Sequence, residues 1–236
     1  STSDNKASVS SALFARKGTF APVMDVDADD PGLVTMDFTA NNAELTEALL
    51  SDVDGFSTWV EDHIRRRQGK IGIGGYAEHR TIYRVSEVFD AVTGQQEPRR
   101  LHLGVDLWAV AGSPVRCPWP ATVHSFGDQD RKGDYGAVII LSHEWDGVRF
   151  HTLYGHLARK SLQLSVGQSV EAGQVFAWLG EKHENGHWPP HLHFQVIHDI
   201  GSWTGDYPGV CAYSDRARWL ENCPDPDLIL DLNRYL

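Results

Sequence analysis

The chain is short of positive charge, of sulfur and of long apolar runs. Its 236 residues carry 21 Lys and Arg against 32 Asp and Glu, a formal net charge of -11. A balance that acidic argues against a nucleic-acid partner and against an anionic membrane surface, because both are held by basic patches and counterion release. No apolar run reaches the roughly 18 to 20 residues that a membrane helix needs, so no membrane span is expected. The Ser-Thr-Ser-Asp-Asn start lacks the basic stretch and apolar stretch of a secretory signal. Three cysteines, Cys117, Cys211 and Cys223, are too few to read as a disulfide framework, and a Cys211–Cys223 bridge and reduced thiols both fit.

What is there is an ordinary globular composition, 41% hydrophobic and 22% charged, with a textural break along the chain. From Gly18 to Ile64 there are eleven acidic residues and no Lys or Arg, and then Arg65-Arg66-Arg67 and Lys70 arrive together. Leu45, Leu49, Val53, Phe56, Val60 and Ile64 keep spacings of three and four, which predicts one amphipathic helix or two. Asn41 and Glu44 are spaced as a capping box, Gly55 and Ser57 are candidate dividers, and Glu61–Arg65 and Asp62–Arg66 are supportive pairs on the exposed side. The Arg triplet reads as a solvated helix end, and residues 69–75 read as a loop.

From about Glu97 short β-rich runs take over. Gly136 to His143 and Val148 to Tyr154 flank Asp146-Gly147, a dipeptide suited to the positive φ angles of a two-residue hairpin turn. Further strands are expected over 105–110, 121–126, 175–179 and 191–197. The fold class is therefore mainly β with minor α, an antiparallel β-sandwich or partly open barrel with an N-terminal helical extension. Three regions are expected: 1–96 with the amphipathic helix and a connecting segment, 97–200 as the core domain, and 201–236 as a cap packed on it.

Chemistry gathers in the middle region. His102-Leu-Gly-Val-Asp106, Tyr154-Gly-His156 and His191-Leu-His193 supply imidazoles and a carboxylate, which are zinc donors. On a strand His191 and His193 face the same side, so one can ligate while its neighbour handles protons. Two neutral imidazoles and one carboxylate leave zinc net positive, able to lower the pKa of bound water toward ~7. His63, His79, His124, His143, His151 and His198 have no such spacing and read as structural or surface residues. His183-Glu184-Asn185-Gly186-His187 matches the H-E-x-x-H string, which works only on a helix. Asn-Gly at its centre and Trp188-Pro189-Pro190 after it predict a turn instead, with Trp188 facing substrate or packed beside a groove.

These motifs, with Val166-Gly-Gln-Ser-Val-Glu-Ala-Gly-Gln174 and Pro190-His191-Leu-His193-Phe194 in the same order, resemble the lysostaphin-like, LytM-type zinc metallopeptidases over about His102 to Val196. The resemblance implies an antiparallel β-sheet groove, one Zn2+ held by His102, Asp106 and His193, and His156 and His191 flanking the water and the substrate carbonyl. It further implies a metalloendopeptidase that cuts short peptide bonds in peptidoglycan cross-links or glycine-rich peptides. The alternative is a binding or regulatory domain that keeps the metal site without turnover; relatives of that kind usually lack some of these residues, and this chain has the full set.

Two departures stand out. His187-Trp188-Pro189-Pro190 is bulkier than the small stretch common before the His-x-His, and Gln195 stands where relatives carry Glu. Gln195 alternates onto the face of His191 and His193, so an amide tunes the site where a carboxylate is usual. Upstream, Gly75-Tyr76-Ala-Glu78-His-Arg80-Thr-Ile-Tyr83 resembles the segment before the peptidase-like domain of multidomain proteins that also carry an aminotransferase. Tyr76 and Tyr83 are expected to pack the N-terminal region against the groove. The compartment stays open: periplasmic or extracellular for a wall enzyme, cytoplasmic for the multidomain context.

Overall fold

A computed structural model describes residues 2–26, 32–67, 69–80 and 97–232. Helix α1 (Thr2–Ala15) is followed by strand β1 (Leu33–Thr35), helices α2 (Glu47–Ser51) and α3 (Val53–Arg66), and strand β2 (Ile71–Gly74). The strands β3 (Arg99–His102), β4 (Val105–Trp108), β5 (Pro114–Arg116), β6 (Ala121–Gln129), β7 (Gly136–Trp145) and β8 (Val148–Leu157) come next. Then come β9 (Ser169–Val170), β10 (Val175–Trp178), β11 (His191–Ile197) and β12 (Val210–Ala212), and the helical turns Arg216–Asn222 and Asp227–Leu230.

Eight strands form one sheet in the order β1-β2-β4-β11-β8-β7-β6-β9, with β10–β5 and β12–β3 as separate antiparallel pairs. The molecule is mainly β, and the large sheet is antiparallel except for the β1–β2 pair. It stays open rather than closing into a barrel. The Asp146-Gly147 turn lies where the sequence predicts it: both residues have positive φ, 49° and 76°, and Trp145 pairs with Val148 across it. Positive φ at both turn positions matches the twist of the flanking strands, which anchors the longest hairpin of the sheet.

The helices differ from expectation. α2 starts at Glu47, capped by Thr46, whose hydroxyl accepts from the Leu49 backbone N–H at 3.2 Å. Asn42 instead accepts from the Glu44 backbone N–H in a local turn. The division falls at Asp52, extended in backbone, rather than at Gly55 or Ser57. The ion pair formed is Asp62–Arg65, three residues apart. Residues 71–74, expected in a loop, form β2 and pair with β4, with Gly72 opposite Trp108 and Gly74 opposite Asp106. Two glycines hide the strand from propensity, and pairing with the buried β4 supplies what the side chains do not.

Burial explains why the site holds still. One side of the sheet carries a cluster that includes Val105, Leu107, Ile139, Leu141, Tyr154 and Phe194. A second cluster joins Val34, Met36, Phe38, Phe56, Val60 and Ile64 of the N-terminal region to Trp108. A third packs Leu101, Leu103, Val138, Ile140 and Leu153 with Tyr207, Cys211 and Cys223. All three cysteines are buried free thiols, so the Cys211–Cys223 bridge is not formed. Tyr76 ties to the C-terminal region rather than to the groove, its hydroxyl donating to the Cys223 carbonyl at 2.6 Å, whereas Tyr83 lies outside the described residues.

Candidate functional site

The sheet register brings distant residues together. Asp106 on β4 sits directly opposite His193 on β11, and Trp108 sits opposite His191. His102 ends β3 and reaches the same point through the Leu103-Gly104 turn. Gly104 is required there by contact, because a Cβ would stand 2.6 Å from the Phe194 carbonyl and 2.9 Å from His193 Nε2. One donor atom each from His102, Asp106 and His193 lies within 4.8 Å of the others, and all three residues are buried. This group could hold a metal ion.

Hydrogen bonds aim the donors. His102 Nδ1 lies 3.2 Å from the Gly75 carbonyl, which leaves Nε2 facing inward, 3.1 Å from His193 Nδ1. The other nitrogen of His193, Nε2, lies 2.7 Å from Gln195 Oε1, so a proton there fixes Nδ1 as the inward lone pair. Gln195 is itself held, donating to the Pro208 carbonyl at 3.1 Å. Asp106 Oδ1 is buried, 3.4 Å from His102 Nε2 and 3.5 Å from His193 Nδ1, and among the described residues no well-aligned donor reaches it. Two inward lone pairs around an unpaired carboxylate oxygen suit a cation, which is how a structure satisfies such groups.

His156 and His191 face this group. His191 Nδ1 lies 2.7 Å from the Pro189 carbonyl, and its ring stacks on Trp108 with centroids 3.9 Å apart. His156 has φ 65°, a left-handed conformation unusual for histidine. Its neighbour Gly155 is the residue paired with His193, so a regular strand would point His156 to the opposite face. The positive φ turns the ring back, to 4.2 Å from the His191 ring centroid, with Nδ1 2.7 Å from the Asn185 carbonyl. In both rings the carbonyl partner leaves Nε2 as the free acceptor of the neutral form.

The electrostatics keep these imidazoles neutral. Burial lowers His102 and His191 to about 4 against the opposing pull of Asp106, and burial with the charges of His191 and His193 holds His156 well below its ordinary value. Burial alone would raise the Asp106 carboxyl, but the His102 imidazole and Arg80 guanidinium beside it hold it well below the usual carboxylate range. His102, His156 and His191 are thus neutral bases beside one carboxylate, a donor state suited to metal binding.

All five predicted residues line one pocket of about 110 Å³, roughly the volume of four water molecules. Its walls add residues that spacing did not reveal. Tyr135 stands 5.2 Å from the His193 ring and donates its hydroxyl to the Tyr207 carbonyl at 2.9 Å. Asp134 and Asp206 flank the opening, both pushed up by burial and Asp206 further by Asp134. Trp188 forms a wall and donates Nε1–H to the Asp134 carbonyl at 3.2 Å. Residues 183–187 form a turn with Gly186 and His187 at positive φ, so the H-E-x-x-H string makes no helical metal site. The Asn185 side chain braces that turn to Gly180 and Trp188.

Comparison with known proteins finds similarity over the middle of the chain. Residues 100–204 match the model of peptidase family M23. A DD-carboxypeptidase/endopeptidase of Neisseria meningitidis serogroup B is 34% identical over 97 residues, 41% of this chain and 20% of that protein. An L-Ala–D-Glu endopeptidase of Bacillus subtilis is 31% identical over 123 residues, covering 49% and 36% respectively, and lysostaphin of Staphylococcus staphylolyticus is 30% identical over 109 residues, covering 46% and 21%. The chain thus spans only about a fifth to a third of the length of these relatives. Among solved structures, the catalytic domain of lysostaphin from Staphylococcus simulans aligns at 28% identity over 56% of this chain and 80% of that one, with a TM-score of 0.39. Over residues 100–204, the chain is thus similar to peptidase family M23.

Proposed function

We propose that the chain is a zinc-dependent metalloendopeptidase that hydrolyses short peptide bonds of peptidoglycan cross-links or glycine-rich peptides. The observation that carries this reading is the convergence of His102, Asp106 and His193 donor atoms within 4.8 Å, with His156 and His191 overlooking them. His102 Nε2, Asp106 Oδ1 and His193 Nδ1 would hold the ion. When bound, zinc supplies Lewis-acid chemistry, acidifying water and polarising a carbonyl.

The chain's own groups do the rest. One of His156 and His191 takes a proton at Nε2 from the attacking water and, as the imidazolium so formed, delivers it to the departing amine; the other stands beside it, ring centroids 4.2 Å apart. The carbonyls of Asn185 and Pro189 keep each ring in the tautomer that exposes Nε2. Tyr135 and Trp188 narrow the pocket, which favours small residues beside the scissile bond. The relatives named as an L-Ala–D-Glu endopeptidase and a DD-carboxypeptidase/endopeptidase support short peptides as the substrate class.

The test is release of new amines from purified peptidoglycan and from a polyglycine peptide, with and without a strong chelator. Chelator-sensitive release from either supports hydrolysis. Absence of release from both, in protein that carries zinc, would favour a binding domain instead.

A further inference from the structure

The buried arginine beside Asp106 plays no part in the reading above. Arg80 belongs to the 69–80 segment, upstream of the residues that match the family, and is 1% exposed. Its Nε donates to Glu78 Oε1 at 2.7 Å, its Nη1 donates to Asp106 Oδ2, and its guanidinium lies over the Phe38 ring at 5.1 Å from the centroid. Gly74, the β2 partner of Asp106, leaves the space: a Cβ there would stand 3.2 Å from Arg80 Nη2.

The two oxygens of Asp106 therefore have different environments. Oδ2 is taken by Arg80, which also lines the pocket, while Oδ1 faces His102 and His193. A carboxylate with both oxygens free can grip a cation through one or both. A hydrolytic zinc site works at low coordination with a position left for solvent, and a second carboxylate oxygen would fill it. Glu78 and Phe38 fix the guanidinium plane, and its rigid fork meets both carboxylates at once.

We propose that Arg80 is a positioning residue that restricts Asp106 to ligation through Oδ1, so the N-terminal region completes the metal centre. This rests on the reading that His102, Asp106 and His193 hold the ion.

The experiment is visible absorption of the full chain loaded with Co(II) in place of zinc, for wild type, Arg80→Met and Arg80→Lys. Low-coordinate cobalt absorbs strongly in the visible and fades as further ligands join. Both variants should hold cobalt at the wild-type stoichiometry yet absorb more weakly, and their turnover should fall about 10–100-fold. Lysine belongs with methionine here because its compact ammonium lacks the planar fork whose Nε meets Glu78 while Nη1 meets Asp106. Spectra matching wild type in the folded variants would overturn the proposal, even if their melting temperatures fell, since that pattern marks a purely structural ion pair. Should Arg80→Met fail to fold, Arg80→Lys decides alone. A wild-type chain that takes no cobalt would bring down the metal reading and this one together, whereas loaded but unshifted variants bring down only this one.

Discussion

Histidines gather at two ends of the part of the sheet formed by β7, β8 and β11, and the proposed chemistry sits at one of them. At one end stand His156, His191 and His193; at the other stand His143 and His151, with His124 of β6 beside them. Burial does not separate the two groups: it lowers His143 to about 3 and His151 to about 4, as it lowers His102 and His191 to about 4. The partners do. His143 has both nitrogens occupied, Nδ1 at 3.3 Å from the Pro120 carbonyl and Nε2 at 2.7 Å from Thr152 Oγ1. In the site each ring commits one nitrogen to a carbonyl or amide and turns the other inward. His151 Nδ1 is also buried without a partner among the described residues, so a spare nitrogen alone does not mark the site; what marks it is that the spare nitrogens of His102, His193 and His191 converge within 3.4–3.7 Å of Asp106 Oδ1.

That contrast can be broken most sharply by removing rings at each end. His156→Ala or His191→Ala should lower kcat about 10²- to 10⁴-fold with zinc content unchanged, because these rings move protons rather than bind the ion. His143→Ala should leave kcat near wild type and cost about 1–3 kcal/mol of stability, because a buried ring stacked on Phe150 is lost and Thr152 Oγ1 keeps only Tyr154 as a partner. Comparable kcat losses at both ends would erase the distinction. Steady-state kinetics beside metal analysis and urea unfolding decide it.

A smaller effect is expected one shell out. Gln195→Leu frees His193 Nε2 from its acceptor and should weaken zinc affinity about 10- to 100-fold, measured by competition with a chelator of known affinity. An unchanged affinity would mean that backbone geometry alone aims His193.

The smallest effect concerns pH. His143 and His151 are neutral when folded but titrate near 6.5 when unfolded, so the unfolded state binds protons first. Their destabilising contribution is absent above about pH 6.5, grows as pH falls, and levels off near the folded values, with a slope of at most about 1.4 kcal/mol per pH unit for each ring. The urea midpoint should therefore fall from pH 7 to pH 5, and fall less in His143→Gln. A midpoint indifferent to pH in both proteins would contradict the burial assigned to these rings.

The difference between the two ends was legible in the sequence because strand periodicity is strict. His191-Leu-His193 must share a face, and Asp146-Gly147 must turn, whatever else surrounds them. Other features depend on contacts that no local pattern encodes. Strand β2 is defined by pairing with Asp106 and Trp108 rather than by its glycine-rich residues. The placement of His156 depends on a left-handed backbone residue, and Arg80 on a segment 26 positions upstream of its partner. The helix break falls at Asp52, whose extended backbone ends one helix and starts the next, rather than at the glycine at position 55. Asn41 and Glu44 have capping-box spacing, but the chain between them is turned, not helical.

The central claim is that three side chains share one ion, and elemental analysis of purified protein tests it most directly. Wild type, His143→Ala and His156→Ala should each carry stoichiometric zinc, and folded His193→Ala should carry next to none. Full zinc in His193→Ala, with circular dichroism like wild type, would contradict the account.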